Sequence, residues 1–158
     1  MKDVHVAIAT KEDAAQVAIL TGELLGEIMS AVDNYLFHFD IEQAKELAYE
    51  FIEKNIYQIF IALHKQEIVG FISLQEHHSL YAGGCYGTIS EFYVKYEYRS
   101  SNIGKMLISK VKEYASENNY RRVEVTTPPL PEFERSLDFY KKNGFEITGG
   151  RKMKIGLI

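Results

Sequence analysis

The chain has 158 residues, 46% of them hydrophobic and 25% charged, which predicts one folded domain and excludes a wholly disordered protein. Its single cysteine, Cys85, excludes a disulfide-stapled secreted scaffold and a cysteine-rich zinc site, and it favours the reducing cytoplasm. The net charge is −4, whereas residues 95–122 carry a local net charge of +4. This distribution disfavours general nucleic-acid binding and allows a local anion site.

The first half of the chain predicts a strand, two helices and a hairpin. Residues 4–8 are typical of a short strand, and Thr10 followed by acidic residues marks the start of a helix reaching residue 28. Asp40 is expected to cap a second helix. Residues 56–63 and 68–74 are β-rich runs joined by a turn. The apolar N-terminal run is too short for a signal peptide and no run approaches the roughly 20 residues of a membrane span, so we expect no membrane contact.

The second half alternates strands and helices. The predicted order is a strand (86–96), a long amphipathic helix (102–118), a strand (123–126), a helix (132–143) and a closing hairpin (145–148 with 152–157). All three prolines fall between the last strand and the last helix, which indicates a loop there. The sequence therefore predicts a single α/β (α+β) domain over residues 1–158. Its central sheet is mixed and largely antiparallel, with about four helices on its faces.

The strand–turn–helix segment at 89–108 carries the strongest chemical signal. The first N–H groups of a helix have no partners within it, and the helix dipole is positive there, so this turn is suited to a phosphate or pyrophosphate. Gly104 allows a close backbone approach, and Arg99 and Lys105 add positive charge. The segment lacks the glycine patterns of nucleotide hydrolases and of dinucleotide-binding folds. From these residues alone, an ordinary connection between a strand and a helix remains an alternative.

A second motif accompanies the first at a fixed distance. Phe92-Tyr93-Val94 precedes R-S-S-N-I-G at residues 99–104, and F-Y-K-K-N-G-F follows at residues 139–145. Together they resemble the GNAT superfamily of acetyl-CoA-dependent N-acetyltransferases, in which a strand precedes [RQ]-x-x-G-x-[GA] and a later helix ends in F-Y-x-x-x-G-F. The order and spacing agree over nearly the whole chain, so the resemblance implies a GNAT-like fold.

The resemblance also implies a cofactor and roles for named residues. Acetyl-CoA is the expected co-substrate, with its pyrophosphate on the backbone amides of the turn and its pantetheine arm paired to the backbone of Val94. The N–H of Phe92 is expected to polarise the thioester carbonyl, and Tyr140 to protonate the departing thiolate. From the residue alone, Tyr140 could equally be an aromatic core residue. The implied cofactor-binding residues are Phe92, Tyr93, Val94, Arg99, Ser100, Ser101, Asn102, Ile103, Gly104, Lys105 and Tyr140.

The chain departs from the family pattern at three positions. Asn102 replaces the first motif glycine; since asparagine tolerates positive φ and helix caps, we expect the turn to form. Ser136 stands where alanine is common, and Phe133 stands where many relatives have asparagine. Because the Asn102 side chain could crowd the pyrophosphate, a non-catalytic acyl-CoA-binding sensor or partner domain is the alternative function.

Glu91 is the preferred candidate for the general base, because it lies in the strand beside the expected thioester site. A solvent-side strand glutamate is the alternative. Glu76, His77 and His78 form a second cluster, but no third spaced ligand follows, so we predict a loop and no metal site. Cys85 is interpreted as a buried small apolar residue, for which no partner base can be named.

The acceptor side is only broadly defined by the sequence. Residues 26–40 and 149–152 are expected to line the acceptor pocket, and the first of these segments contains the rings and acids that suit a cationic amine. We therefore predict transfer of an acetyl group to the primary amine of a small molecule or peptide by direct attack. No nucleic-acid or membrane partner is expected, and a homodimer stays open.

Overall fold

The computed structural model describes residues 3–33 and 38–158. One five-stranded sheet forms its centre, in the spatial order β1-β2-β3-β4-β5. The strands are β1 (Val4–Ile8), β2 (Tyr57–His64), β3 (Glu67–Ser79), β4 (Gly84–Val94) and β5 (Val123–Val125). The helices are α1 (Ala14–Val32), α2 (Ile41–Glu53), α3 (Ile103–Glu117) and α4 (Glu134–Lys142). β1 to β4 pair antiparallel and β5 runs parallel to β4, so the predicted mixed, largely antiparallel α/β architecture is confirmed.

Local signals place several element ends where the sequence predicted them. The Asp40 side chain accepts hydrogen bonds from the backbone N–H groups of Glu42 and Gln43, and so caps α2. The β2–β3 turn is made by Lys65 and Gln66, both at positive φ (49° and 70°), which suits the twist of a two-residue hairpin.

The two faces of the sheet bury separate cores. On one face, β2, β3 and β4 pack against α3 and Tyr140 of α4, with Leu107 and Val111 of α3 nearly inaccessible. On the other face, Val17 and Leu20 of α1 pack against Phe71 and Tyr93. Because side chains alternate along a strand, Phe92 and Tyr93 face opposite cores.

Helix α1 departs from one sequence expectation. The segment Lys11–Val32 is long and apolar enough, with a mean hydropathy of 1.3, to pass for a membrane span by length and composition. The expectation that no segment approaches this length was wrong, because it considered only uninterrupted apolar runs. In the structure, Val17, Leu20 and Ile28 of this helix are buried within the protein, and 22% of its most apolar window is buried.

The predicted closing hairpin is absent. Over the described residues after α4, the chain contains no strand, and the apolar side chains of Ile147, Met153, Ile155 and Leu157 are 70–90% exposed. The prediction was wrong because alternation alone does not make a strand. A hairpin needs a neighbouring strand and an apolar face to bury, and an isolated one gains little stability.

Candidate active site

A β-bulge in β4 places Glu91 at the centre of the sheet. The β3–β4 register shifts between Ile72, opposite Phe92, and Leu74, opposite Ile89, so Ser73 faces two residues of β4. The Ser73 hydroxyl accepts a hydrogen bond from the Glu91 N–H (2.9 Å) and donates one to Glu91 Oε1 (2.6 Å). Ser73 is fully buried, and its hydroxyl therefore fixes both the bulge and the orientation of the Glu91 carboxylate.

The Glu91 carboxylate lies in a largely desolvated position. Burial raises the pKa of Glu91 above the usual range of a carboxyl, and the hydrogen bonds from Ser73 and Tyr57 partly oppose that rise. The Tyr57 hydroxyl donates to Glu91 Oε2 at 3.4 Å. Burial, with the Glu91 carboxylate next to it, raises the pKa of Tyr57 to about 12, so this phenol stays protonated. A carboxylate whose pKa lies nearer neutrality is a better proton acceptor at neutral pH.

The edge of β4 opens beyond the bulge. β5 pairs only with Gly87 to Ile89, so the rest of β4 has no strand on that side among the described residues. The Lys95 N–H donates to Val69 on β3 at 2.9 Å. Since backbone groups alternate in direction along a strand, the N–H groups of Phe92 and Val94 point to the open edge. The family resemblance predicts that the backbone of these two residues contacts the cofactor.

The turn before α3 forms with Asn102 in place of glycine. Asn102 adopts φ 68° and ψ 5°, the left-handed conformation, and its side chain makes no capping hydrogen bond. Ser100 is also at positive φ (65°). The carbonyl of Asn102 accepts from Met106, so the preceding N–H groups, of Ile103, Gly104 and Lys105, have no acceptor within the helix.

Arg99, in the same connection, forms contacts with β4 and α1. Its Nε donates to the Val94 carbonyl (2.9 Å) and its Nη2 to Glu27 Oε2 (2.7 Å), while the guanidinium lies over the rings of Tyr93 and Tyr96. The Arg99 guanidinium is thus paired with Glu27 in this structure, and its role at the anion turn stays a prediction. Lys105 is exposed, and over the described part of the chain it forms no ion pair.

Gly104 lies in a close contact between the start of α3 and two aromatic rings. A β carbon at this position would lie 3.1 Å from Cζ of Phe139 and 3.5 Å from Cζ of Phe92. The Phe92 and Phe139 rings are 5.7 Å apart. The glycine thus lets the start of α3 approach β4 and α4 closely, which brings the two sequence motifs together.

Tyr140 is buried beside this contact. Its ring meets Phe92 edge-on at 6.2 Å and Phe145 at 5.4 Å, and the residue is only 7% exposed. Burial raises the pKa of Tyr140 to about 12. The phenol is therefore a permanent donor at neutral pH, and no other described side chain accepts its proton.

Comparison with known proteins identifies the fold family. The family model described as "Acetyltransferase (GNAT) family" matches residues 21–145. The chain belongs to the GNAT family. No curated protein matches it significantly.

Solved structures share the GNAT fold at low sequence identity. An integron cassette protein from the mobile metagenome of Cole Harbour Salt Marsh superimposes with a TM-score of 0.80 at 21% identity, covering 97% of this chain and 90% of that one. A ribosomal-protein-alanine N-acetyltransferase from Brucella melitensis biovar Abortus 2308 gives 0.73 at 19%, covering 97% and 99%. An aminoglycoside acetyltransferase from an uncultured soil metagenomic sample gives 0.73 at 18%, covering 99% and 97%. Family membership makes the protein an acetyltransferase.

An open groove lies between α1 and the start of α4, where the sequence predicts part of the acceptor pocket. Its lining consists of Gly26, Glu27, Ser30 and Ala31 from α1 and Phe133, which precedes α4. Phe133 thus lines the groove. In the sequence it stands out only because many relatives have asparagine at this position. Part of the predicted acceptor segment, residues 34–37, lies outside the described residues. The other predicted segment, residues 149–152, is exposed.

Sequence reasoning missed Ser73 and Tyr57, the partners of Glu91. Neither belongs to a motif, and both lie on other strands. The only sequence signal was a serine inside the otherwise apolar run of β3, since a fully buried hydroxyl needs a hydrogen-bond partner.

The Glu76 cluster differs from its prediction. His77 and His78 belong to β3, which extends to Ser79, and not to a loop. Cys85 lies directly opposite His78 in the β3–β4 register, with its Sγ 3.5 Å from His78 Nδ1. Cys85 is half-buried and not buried as predicted. His78 could not be named as its neighbour from the sequence, because the strand pairing that joins the two residues is not visible in sequence spacing.

Proposed function

We propose that this acetyltransferase moves the acetyl group of acetyl-CoA to a primary amine by direct attack, without a covalent enzyme intermediate. The open edge of β4 carries the proposal. There, the Phe92 and Val94 N–H groups lie between Glu91 on one face of the sheet and Tyr140 on the other. Acetyl-CoA would supply an acetyl group activated as a thioester. Residues of the chain would stabilise the developing charge and transfer the protons.

The donor groups of the chain fit an acyl-CoA. The unpaired N–H groups at the start of α3 are suited to a pyrophosphate, and exposed Lys105 adds charge there. The Val94 N–H is suited to an extended amide chain lying along the strand edge. The Phe92 N–H would bind the thioester oxygen and stabilise the negative charge that develops on it in the tetrahedral transition state.

Proton transfer completes the reaction. The amine nitrogen forms a bond to the acetyl carbon as the carbon–sulfur bond breaks. Glu91 takes the proton that the nitrogen loses, and Tyr140 gives its proton to the departing sulfur. A phenol of pKa about 12 is a weak acid towards a thiolate in water. In a desolvated site, burial destabilises the thiolate as well as the phenolate. The pKa of the thiol therefore rises too, and the difference between the pKa values of the phenol and the thiol becomes smaller.

A thiol-release assay tests this proposal. The protein is incubated with acetyl-CoA and a panel of amines: a polyamine, an aminoglycoside, a peptide with a free N-terminus and a lysine peptide. We expect release of CoA thiol that depends on one class of amine, and a raised melting temperature in acetyl-CoA alone. Stabilisation without release by any amine would instead support the acyl-CoA sensor. No stabilisation at millimolar acetyl-CoA would overturn the co-substrate assignment.

Replacing Ser73 with alanine is expected to change the pH dependence of the reaction. The Ser73 hydroxyl favours the ionised carboxylate and lowers the pKa of Glu91, so its loss raises that pKa further. Protonated Glu91 cannot act as a base. The acidic limb of kcat/KM should therefore move to higher pH, with activity recovering at alkaline pH.

Ser109, an exposed serine of α3, provides the control. Ser109→Ala should leave the pH profile of kcat/KM where it is in the unmodified enzyme. An acidic limb that stays in place in Ser73→Ala would mean that Glu91 does not set it, and the base would then lie elsewhere.

A further inference from the structure

The far end of the β3–β4 hairpin holds three metal-binding side chains on one face. Glu76 and His78 are two residues apart on β3, so they point to the same side, and Cys85 is the cross-strand partner of His78. One ligand atom from each of Glu76, His78 and Cys85 lies within 4.8 Å of the other two. A carboxylate, an imidazole and a thiol are the ligand types that Zn²⁺ prefers.

Two of the side-chain distances match the spacing of metal ligands, although they involve opposite nitrogens of the imidazole. Cys85 Sγ is 3.5 Å from His78 Nδ1, and Glu76 Oε2 is 3.2 Å from His78 Nε2. Tetrahedral zinc, with bonds of about 2.0–2.3 Å, separates neighbouring ligand atoms by roughly 3.3–3.6 Å. The Glu76 and His78 side chains are 46% and 69% exposed. They are free to rotate so that the carboxylate meets the Nδ1 edge of the ring, where Cys85 already lies.

Tyr120 lies next to the cluster. Gly87 is the cross-strand partner of Glu76, and the ring of Tyr120 lies over it, 3.0 Å from where a β carbon would be. The Tyr120 ring therefore borders the Glu76 side of the cluster.

The opposite face of the same strands has different chemistry. His77 stacks on Tyr86 with ring centroids 5.4 Å apart, and Arg122 lies 5.6 Å above the Tyr86 ring. A nearby arginine repels a cation, so that face is unsuited to a metal ion. His77 is therefore a matched control for His78: it is the adjacent histidine on the same strand.

We propose that Glu76, His78 and Cys85 form a binding site for a thiophilic divalent cation such as Zn²⁺, with a fourth position open to water. Binding releases the thiol proton of Cys85 to solvent, and the ion joins β3 to β4 next to their connecting turn. The site is separate from the acetyl-transfer site, since Cys85 and Glu91 are six residues, roughly 20 Å, apart along β4. Hard Mg²⁺ should not compete, because it prefers an all-oxygen shell.

Cobalt substitution tests the site directly. Co²⁺ added to the full-length protein should produce a thiolate-to-cobalt charge-transfer band, which can only come from Cys85, the single cysteine. Zn²⁺ should displace the bound Co²⁺ and remove the band, whereas Mg²⁺ should not. Cys85→Ser and His78→Gln should abolish the band, and His77→Gln should leave it unchanged.

Alkylation of the unmodified protein gives a second measurement that needs no variant. Stoichiometric Zn²⁺ should slow maleimide labelling of Cys85 at least tenfold, and a chelator should restore the rate. An unchanged labelling rate, a missing charge-transfer band, or equal loss of Co²⁺ binding in His77→Gln and His78→Gln would each overturn the proposal.

Discussion

Tyr140→Phe is expected to lower kcat by about 10²–10⁴-fold, the usual contribution of a positioned general acid. The substitution removes one hydroxyl and leaves the ring that packs against Phe92 and Phe145, so the fold and acetyl-CoA binding should persist. The lost interaction exists only while charge develops on the sulfur. For that reason KM for acetyl-CoA should hardly change. Steady-state kinetics with the melting temperature of both proteins would measure this.

Tyr114→Phe is the matched control. Tyr114 also lies at the edge of the α3 core, with its ring against Phe60 and Tyr120, but it is remote from the open edge of β4. Its variant should retain kcat. If Tyr140→Phe kept full turnover, or lost activity only through unfolding, Tyr140 would be a packing residue and the sulfur would receive its proton from another donor.

Glu91→Gln should have two opposite effects: a fall of about 10²–10⁴-fold in kcat/KM and a rise in melting temperature at neutral pH. Glutamine cannot take a proton from the amine. It still accepts the hydrogen bond from Ser73, and it removes a charge from a desolvated position. Functional groups commonly oppose stability in this way.

The sign of the stability effect follows from the direction of the pKa shift. The pKa of folded Glu91 is raised above its unfolded value, so its contribution to stability is complete below the unfolded pKa and is lost as pH rises through the folded pKa. The advantage of Glu91→Gln should therefore be small in acid and increase towards neutral pH. Exposed Glu97, in the connection from β4 to α3, supplies the control Glu97→Gln. Undiminished activity in Glu91→Gln, or a lower melting temperature, would contradict the proposed base.

Features controlled by near neighbours in sequence were predictable. The Asp40 cap depends on N–H groups two and three residues away, and the left-handed conformation of Asn102 depends on its own backbone preference. The strand–turn–helix of residues 89–108 was predictable for the same reason. These signals suffice to place Glu91, the turn and Tyr140 on their elements.

Features set by strand register were not predictable. Ser73 and Tyr57 reach Glu91 from strands 18 and 34 residues away in sequence, and Cys85 reaches His78 only because β3 continues past its apolar run. Arg99 followed the motif in sequence, yet its guanidinium turns to Glu27, 72 residues away. The prediction of a C-terminal hairpin was wrong for a related reason. The alternation of apolar residues was visible in the sequence, but no neighbouring strand pairs with this segment in the described residues.

The separation of Glu91 and Tyr140 onto opposite faces of β4 has a kinetic and an evolutionary consequence. Under the proposed mechanism, an amine would approach from the α1 face while the thioester occupied the strand edge, so both substrates would be held in one ternary complex. Initial-rate plots should then intersect, whereas a ping-pong enzyme gives parallel lines. Residues that line the groove between α1 and α4, such as Ser30 and Phe133, could also be substituted without disturbing the turn that precedes α3. Under the same proposal, acceptor range and donor binding would be separable traits of this protein.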